Sequence, residues 1–509
     1  MINGNRVSLY WLLVAVLAGA FVVVKAPCLA ASLPTTPATI GGTALAKRRH
    51  FYLKNGDRVC FYGDSITEQR FYPTDVELYV RTRFPNLRVR FVNSGFGGDR
   101  VTGGAAGPIN LRLKRDVFPF NPNIVTIMLG MNDGWEWPFN RKLFDIYKNG
   151  YEHIIASLQQ HLPGVKIILI EPSPYDDVTH GPGFAGGYNA VLIRYGQFVR
   201  QLAVKYHLMC VNFNKPLLEV LRKANRISHS LARKIIPGRI HPDADGQLVM
   251  AEALLKAWNA PATVTAVDIN AGAKSVLQSA DTTVSALAEA KGTISWTQRD
   301  HALPMPIMDL HENWPQFPPV LIWPFNVFWE APAPNWNYTN PVTALVVKLC
   351  GFYHNLDSET LRVKGLAAPR YTLKVDGHQV GVFSKKQLAA GINLARYDTP
   401  MMAQAYRVLH LVWREQQFRF YVWHYIQLPL GKYVGSPRLV TIANGVPIYS
   451  HPATGKYQHT GIRKAMQPLI AALYGHLFKR VLARAYTMAE PIPHQYTLSP
   501  TSVASNREK

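Results

Sequence analysis

The chain has 509 residues, 48% hydrophobic and 11% aromatic, a composition that supplies folded cores and excludes a disordered chain. At roughly 150 residues per domain, the length points to two or three domains. The formal net charge of +23 arises from 55 Lys and Arg against 32 Asp and Glu, but the basic residues are scattered and the densest cluster, Lys47–His50, is small. A diffuse positive surface without an aromatic–basic module gives no reason to expect a nucleic-acid partner.

The N-terminal stretch carries Arg6, an apolar run from Leu9 to Val24 and small residues at Ala30 and Ala31. This layout predicts a signal peptide over residues 1–30 and a secreted or periplasmic protein. The alternative is an uncleaved N-terminal membrane anchor, because the run is slightly long for a signal. No later stretch reads as a membrane span. Cleavage removes Cys28, which lacks a lipidation box, and leaves Cys60, Cys210 and Cys350 with no pair at metal-ligand spacing. Cys60 and Cys210 lie in apolar runs and are expected to be buried thiols. Residues 31–50, rich in Pro, Thr and Gly, are expected to form a flexible lead-in.

From residue 51 to 260 short apolar runs alternate with helical patterns. The runs begin at Val59, Val89, Ile124, Lys166 and Leu208, and the clearest helical patterns cover 143–162 and 188–207. Strands alternating with helices predict an α/β domain with a parallel sheet covered on both faces, its chemistry on loops at the carboxyl ends of the strands. Residues 261–500 change character and predict a smaller, β-rich or mixed accessory region. Within it, 262–291 is rich in Ala, Thr, Ser and Val and is expected to be a helix or a linker. Asp376-Gly377 between alternating runs predicts a hairpin. The Trp-, Phe- and Pro-rich stretch 314–338 is expected to be β-rich core rather than a sugar-binding face. Residues 501–509 read as a disordered tail.

Four loops in the α/β region carry residues suited to acyl transfer: Gly63-Asp64-Ser65, the glycine-rich loop around Gly98 and Asp99, Gly130-Met131-Asn132-Asp133, and the loop of His241. A serine needs a base such as histidine to become a nucleophile at neutral pH. The resulting oxyanion needs fixed donors, which the Ser65 and Gly98 N–H groups and the Asn132 amide are suited to supply. Ser65 and Glu68 also fit a capping box, so Ser65 is expected to cap a helix as well, a role compatible with nucleophilic chemistry.

This order of blocks resembles the SGNH (GDSL-type) hydrolase superfamily, in a secreted bacterial branch with a long C-terminal extension. The resemblance covers roughly residues 50–260. It implies a flavodoxin-like three-layer α/β/α fold and ester hydrolysis with no metal or cofactor. Carried over by motif, Ser65 is the nucleophile, His241 the base, Gly98 and Asn132 the oxyanion donors, with Asp64 and Asp133 in support. One position departs: the superfamily's Asp-x-x-His has Gly238 where the aspartate stands. Loss of that acid leaves three readings: a Ser–His dyad, another carboxylate reaching His241, or an impaired enzyme. Asp243 and Asp245 suit capping of the following helix better than pairing with His241. The expected substrate is an ester, foremost an O-acyl group on an extracellular polysaccharide. The alternatives are a lipid or lysophospholipid ester, or a carbohydrate-binding envelope protein with little turnover. Oligomeric state is not legible.

Overall fold

The computed structural model describes residues 50–308, 340–421, 441–442, 446–447 and 461–501. The expected signal peptide, the lead-in up to Arg49, the 314–338 stretch and tail residues 502–509 lie outside the described residues.

The five apolar runs form five parallel strands: β1 (Arg58–Gly63), β2 (Arg90–Asn93), β3 (Ile124–Met128), β4 (Lys166–Glu171) and β5 (Met209–Asn212). Their spatial order is β2-β1-β3-β4-β5. Every residue of β3 is buried, so this strand has no polar alternation, in keeping with helices on both faces. Those helices are α1 (Ser65–Glu68), α2 (Phe71–Arg83), α3 (Ile109–Asp116), α4 (Arg141–His161), α5 (Gly187–Lys205), α6 (Asn214–Ile227) and α7 (Ala244–Ala257). Strand order reverses between β1 and β3, and in open α/β sheets the crevice at such a switch point is where ligands bind.

Residues 262–291 are neither helix nor linker. They form β6 (Thr263–Asn270), β7 (Ser275–Ala280) and β8 (Thr282–Ala290). The β-branched Thr and Val residues favour strand, and left-handed Lys274 and Asp281 make the bends between the three. The strands that join them in two sheets are β9 (Thr293–Asp300), β10 (Ser358–Lys364), β11 (Arg370–Val375), β12 (His378–Ser384), β13 (Ile392–Asn393) and β14 (Pro493–Pro500). They build an antiparallel sheet, β8-β9-β14-β11-β12, and a second sheet, β13-β10-β6-β7. Asp376 and Gly377, at φ 50° and 79°, form the β11–β12 hairpin, the paired left-handed geometry that a two-residue turn demands.

The three longest helices of this region are α8 (Pro341–Cys350), α9 (Pro400–Tyr421) and α10 (Gly461–Met488). Helix α9 packs on α2, the Arg81 guanidinium lies over the Tyr486 ring of α10, and all 13 residues of α2 are buried. Three of its four charged side chains are paired, whereas the Asp75 carboxyl has no hydrogen-bond partner among the described residues and burial raises its pKa well above the usual value. Arg81 meets Glu77 at 2.6 Å and Glu415 of α9 at 4.0 Å, while Gln416 donates to Glu77 at 2.8 Å. Arg83 donates to the Pro261 and Thr263 carbonyls at 2.8 and 2.9 Å and meets Asp357 at 3.2 Å. One apolar core runs through both parts. Among the described residues, no helix is long and apolar enough to cross a membrane.

Candidate active site

The loop after β1 turns sharply into α1. A Cβ at Gly63 would collide with the Thr67 hydroxyl, so only glycine fits there. Asp64 is the N-cap: its Oδ1 accepts the Ile66 N–H at 3.0 Å. The capping-box expectation for Ser65 is therefore corrected by one residue. Ser65 is the first helical residue, and its hydroxyl faces His241, with Oγ 2.7 Å from Nε2 across 176 residues of sequence.

His241 is held by the start of α7. Gln247 donates to the Pro242 carbonyl at 3.1 Å and to Gln69 at 2.9 Å, and its Oε1 accepts the Tyr72 N–H at 3.1 Å. One buried amide thus ties the histidine loop to the serine loop. Asp243 caps α7, accepting the Ala244 N–H at 2.9 Å. Gly238 and Arg239 are both left-handed, at φ 69° and 74°. His241 Nδ1 has no hydrogen-bond partner among the described residues. Burial lowers the His241 pKa, while the negative fields of Glu68 and Glu136 oppose that shift.

Gly98 and Asn132 stand on the loops after β2 and β3. Gly98 is left-handed at φ 76°, with open space where a Cβ would lie. Asn132 Nδ2 donates to the Asp99 carbonyl at 3.0 Å, and the Asp133 carboxylate accepts the Val101 N–H at 3.0 Å. Consecutive residues of one loop thus clamp the other. Beneath them Asp99 meets fully buried Arg112 at 2.6 Å; Arg112 also pairs with Asp116 and donates to the Ser94 carbonyl at 2.7 Å. Burial pushes the carboxyl of Asp64 up to about 8 and that of Asp133 up to about 7. Asp99 is raised to about 6 by burial, with Arg112 opposing. Among the described residues, the Ser65 and Gly98 N–H groups and the second Asn132 amide hydrogen have no acceptor. No group of three or more His, Cys, Asp or Glu among the described residues is placed to hold a metal ion.

Sequence reasoning missed Asn93, Arg112 and Gln247. Asn93 donates to the Thr67 carbonyl at 2.7 Å and accepts the Gly95 N–H at 2.9 Å, fixing the end of β2 against α1. Its place in the same block as Gly98 was the available signal. Arg112 and Gln247 sit inside helices with nothing local to mark them.

Residues 61–249 match the GDSL-like lipase/acylhydrolase family. An acetylxylan esterase of Geobacillus stearothermophilus is 28% identical over 222 residues, which is 40% of this chain and 94% of that protein. A gut microbial diltiazem-metabolizing enzyme shares the fold over 88% of this chain and 98% of its own, with a TM-score of 0.71 at 23% identity. A putative GDSL-like lipase from Parabacteroides merdae, 20% identical, covers 41% of this chain and 99% of its own, with a TM-score of 0.35. The family match spans all four loops except the end of the last helix they lead into: residues 61–249 are similar to the GDSL-like lipase/acylhydrolases, and the protein is an ester-hydrolysing enzyme.

Proposed function

We propose that the protein removes O-acetyl groups from a carbohydrate outside the cytoplasm, by acyl-enzyme chemistry at Ser65. The observation that carries the chemistry is the 2.7 Å contact between Ser65 Oγ and His241 Nε2 at the first turn of α1. The similarity to an acetylxylan esterase supports the carbohydrate ester, and the N-terminal apolar run supports export.

In this reading His241 Nε2 takes the Ser65 proton as Oγ attacks the ester carbonyl. The oxyanion is received by the Ser65 and Gly98 N–H groups and the free Asn132 amide hydrogen. His241 then gives its proton to the departing sugar hydroxyl. Water, deprotonated by the same imidazole, attacks the acyl-enzyme and releases acetate. Because Nε2 must accept, Nδ1 carries the proton, and no carboxylate bonds to it. Gln247, and Arg239 through the Gly181 and His180 carbonyls, hold the histidine loop instead, so the site works as a Ser–His dyad.

The test is hydrolysis of 4-nitrophenyl acetate and of acetylated xylan by the protein beside Ser65→Ala and His241→Ala. Loss of turnover by about 10³-fold or more in both variants is expected. Equal turnover in Ser65→Ala would remove Ser65 from the mechanism.

A further inference from the structure

The loop that carries Asn132 continues into Trp135-Glu136-Trp137, and these rings are used by nothing in the reaction just described. Trp135 is 51% exposed and Trp137 56%, whereas the other described tryptophans, Trp258, Trp296 and Trp413, are 0%, 1% and 7% exposed. The two rings stack on each other, with centroids 6.1 Å apart and 29° between planes. The Arg100 guanidinium lies 4.5 Å over the Trp135 ring. The Arg100 side chain makes no hydrogen bond among the described residues; its Nε is buried, so any ligand contact falls to the terminal nitrogens of the guanidinium.

This arrangement is built against a local cost. Trp135 and Glu136 are both left-handed, at φ 57° and 56°, a backbone region that non-glycine residues disfavour. The packing beneath enforces it. Tyr188 donates to the Met131 carbonyl at 2.7 Å and Tyr175 to Glu136 at 2.9 Å, and a Cβ at Gly134 would lie 2.6 Å from the Tyr188 hydroxyl. The turn is pinned from below and its rings are turned outward. Strain held in this way beside a site points to a ligand.

We propose that Trp135, Trp137 and Arg100 form the platform on which a pyranose ring of an acylated glycan lies while its ester is cleaved at Ser65. The proposal rests on the reading of Ser65 as nucleophile and names what lies beyond it. Arg100 is two residues past Gly98 and Trp135 three past Asn132, so the platform extends from the side of the site that receives the oxyanion. The C–H face of a pyranose packs on an indole ring, and its hydroxyls bond to a guanidinium or carboxylate at the edge. Arg100 and Glu136 provide both. A fatty acyl chain is served instead by an enclosed apolar slot; charged groups flanking half-exposed rings leave such a chain wet.

The experiment compares kcat/KM on acetylated xylo-oligosaccharides with kcat/KM on 4-nitrophenyl acetate and 4-nitrophenyl laurate, for the protein, Trp137→Ala, Trp137→Phe and Arg100→Gln. The ratio of oligosaccharide to aryl acetate should fall about tenfold in Trp137→Ala, through KM, as expected for the loss of one good aromatic contact. Trp137→Phe should recover most of it, and Arg100→Gln should lower the ratio as well. An unchanged ratio overturns the proposal, as does a loss confined to the laurate, which would make the rings an acyl-chain surface. A protein that cleaves the aryl acetate through Ser65 but no acetylated oligosaccharide also overturns it, while leaving the serine esterase intact. Turnover that survives Ser65→Ala strikes the underlying reading instead.

Discussion

Asp64 caps the helix that Ser65 begins, and this division of labour leaves the serine hydroxyl free to meet His241. A helix start offers one side-chain acceptor position to its own N–H groups; had Ser65 filled it, Oγ would point back along α1. Asp64→Ala is therefore expected to cost about 1 kcal/mol of stability, and to lower kcat by loosening the Ser65 turn, while Asp64→Asn keeps the acceptor.

The same residue makes stability depend on pH. Burial raises Asp64 to about 8, so between its ordinary value and 8 the folded protein holds a proton that the unfolded chain releases. Its contribution is fully present below the ordinary carboxylate range and is lost as pH rises through about 8. The melting temperature should fall from pH 5.5 to 8.5 more steeply in the protein than in Asp64→Asn, measured by differential scanning calorimetry. Parallel curves would mean that Asp64 is ionised throughout.

His241 has a pKa below the ordinary imidazole value because it is buried, and this keeps it available as a base in mildly acidic solution. The acid limb of kcat/KM for an aryl acetate is expected below pH 6.5. Glu136 opposes the shift, so Glu136→Gln should move the limb to still lower pH and leave the plateau rate within a few-fold. A drop of several orders of magnitude would instead identify Glu136 as a bonded third member of the site.

Asn132 has two tasks, one seen in the contact with the Asp99 carbonyl and one assigned to its free amide hydrogen. Asn132→Ala should lower kcat by about 10²–10³, the usual effect of removing one oxyanion donor, with KM for a small ester little changed. Asp133→Asn preserves an acceptor for the Val101 N–H and should be far milder. Rates near those of the parent in Asn132→Ala would reassign the oxyanion to backbone donors alone.

Gly98 and Gly238 present a controlled pair, since both are left-handed and both have empty space where a Cβ would lie. Alanine at either position should cost about 1 kcal/mol of stability from backbone strain. Only at 98 does that methyl enter the space where the ester must sit. Gly98→Ala is expected to lose activity well beyond its stability cost, and Gly238→Ala to lose stability alone. Denaturant melts beside steady-state rates separate the two.

The parallel sheet was legible because strands buried on both faces are short apolar runs, and each run of that kind in 51–260 became a strand. The four site loops were legible because glycine, aspartate, asparagine and histidine at strand ends serve few purposes together. The cap register was not. Asp64 and Ser65 are equally good caps by residue type, and no local signal in the sequence distinguishes the register in which Asp64 accepts the Ile66 N–H. Residues 262–291 misled because β7 and β8 are largely exposed and show no apolar alternation. Arg81 gave no hint of its partner, since Glu415 lies on a helix hundreds of residues later and neither neighbourhood differs from a solvated surface.

The enclosure of α2 bears on how this architecture is inherited. A helix whose Arg81 and Glu77 answer to Glu415 and Gln416, and whose Arg83 answers to Asp357, belongs to both halves of the protein. Breaking such buried pairs costs about 3–5 kcal/mol each, so the catalytic half cannot be lifted out by recombination without rewriting α2. The C-terminal strands are thus no passenger joined to a finished enzyme. A catalytic half standing alone would need a solvated surface where this helix now has buried ion pairs.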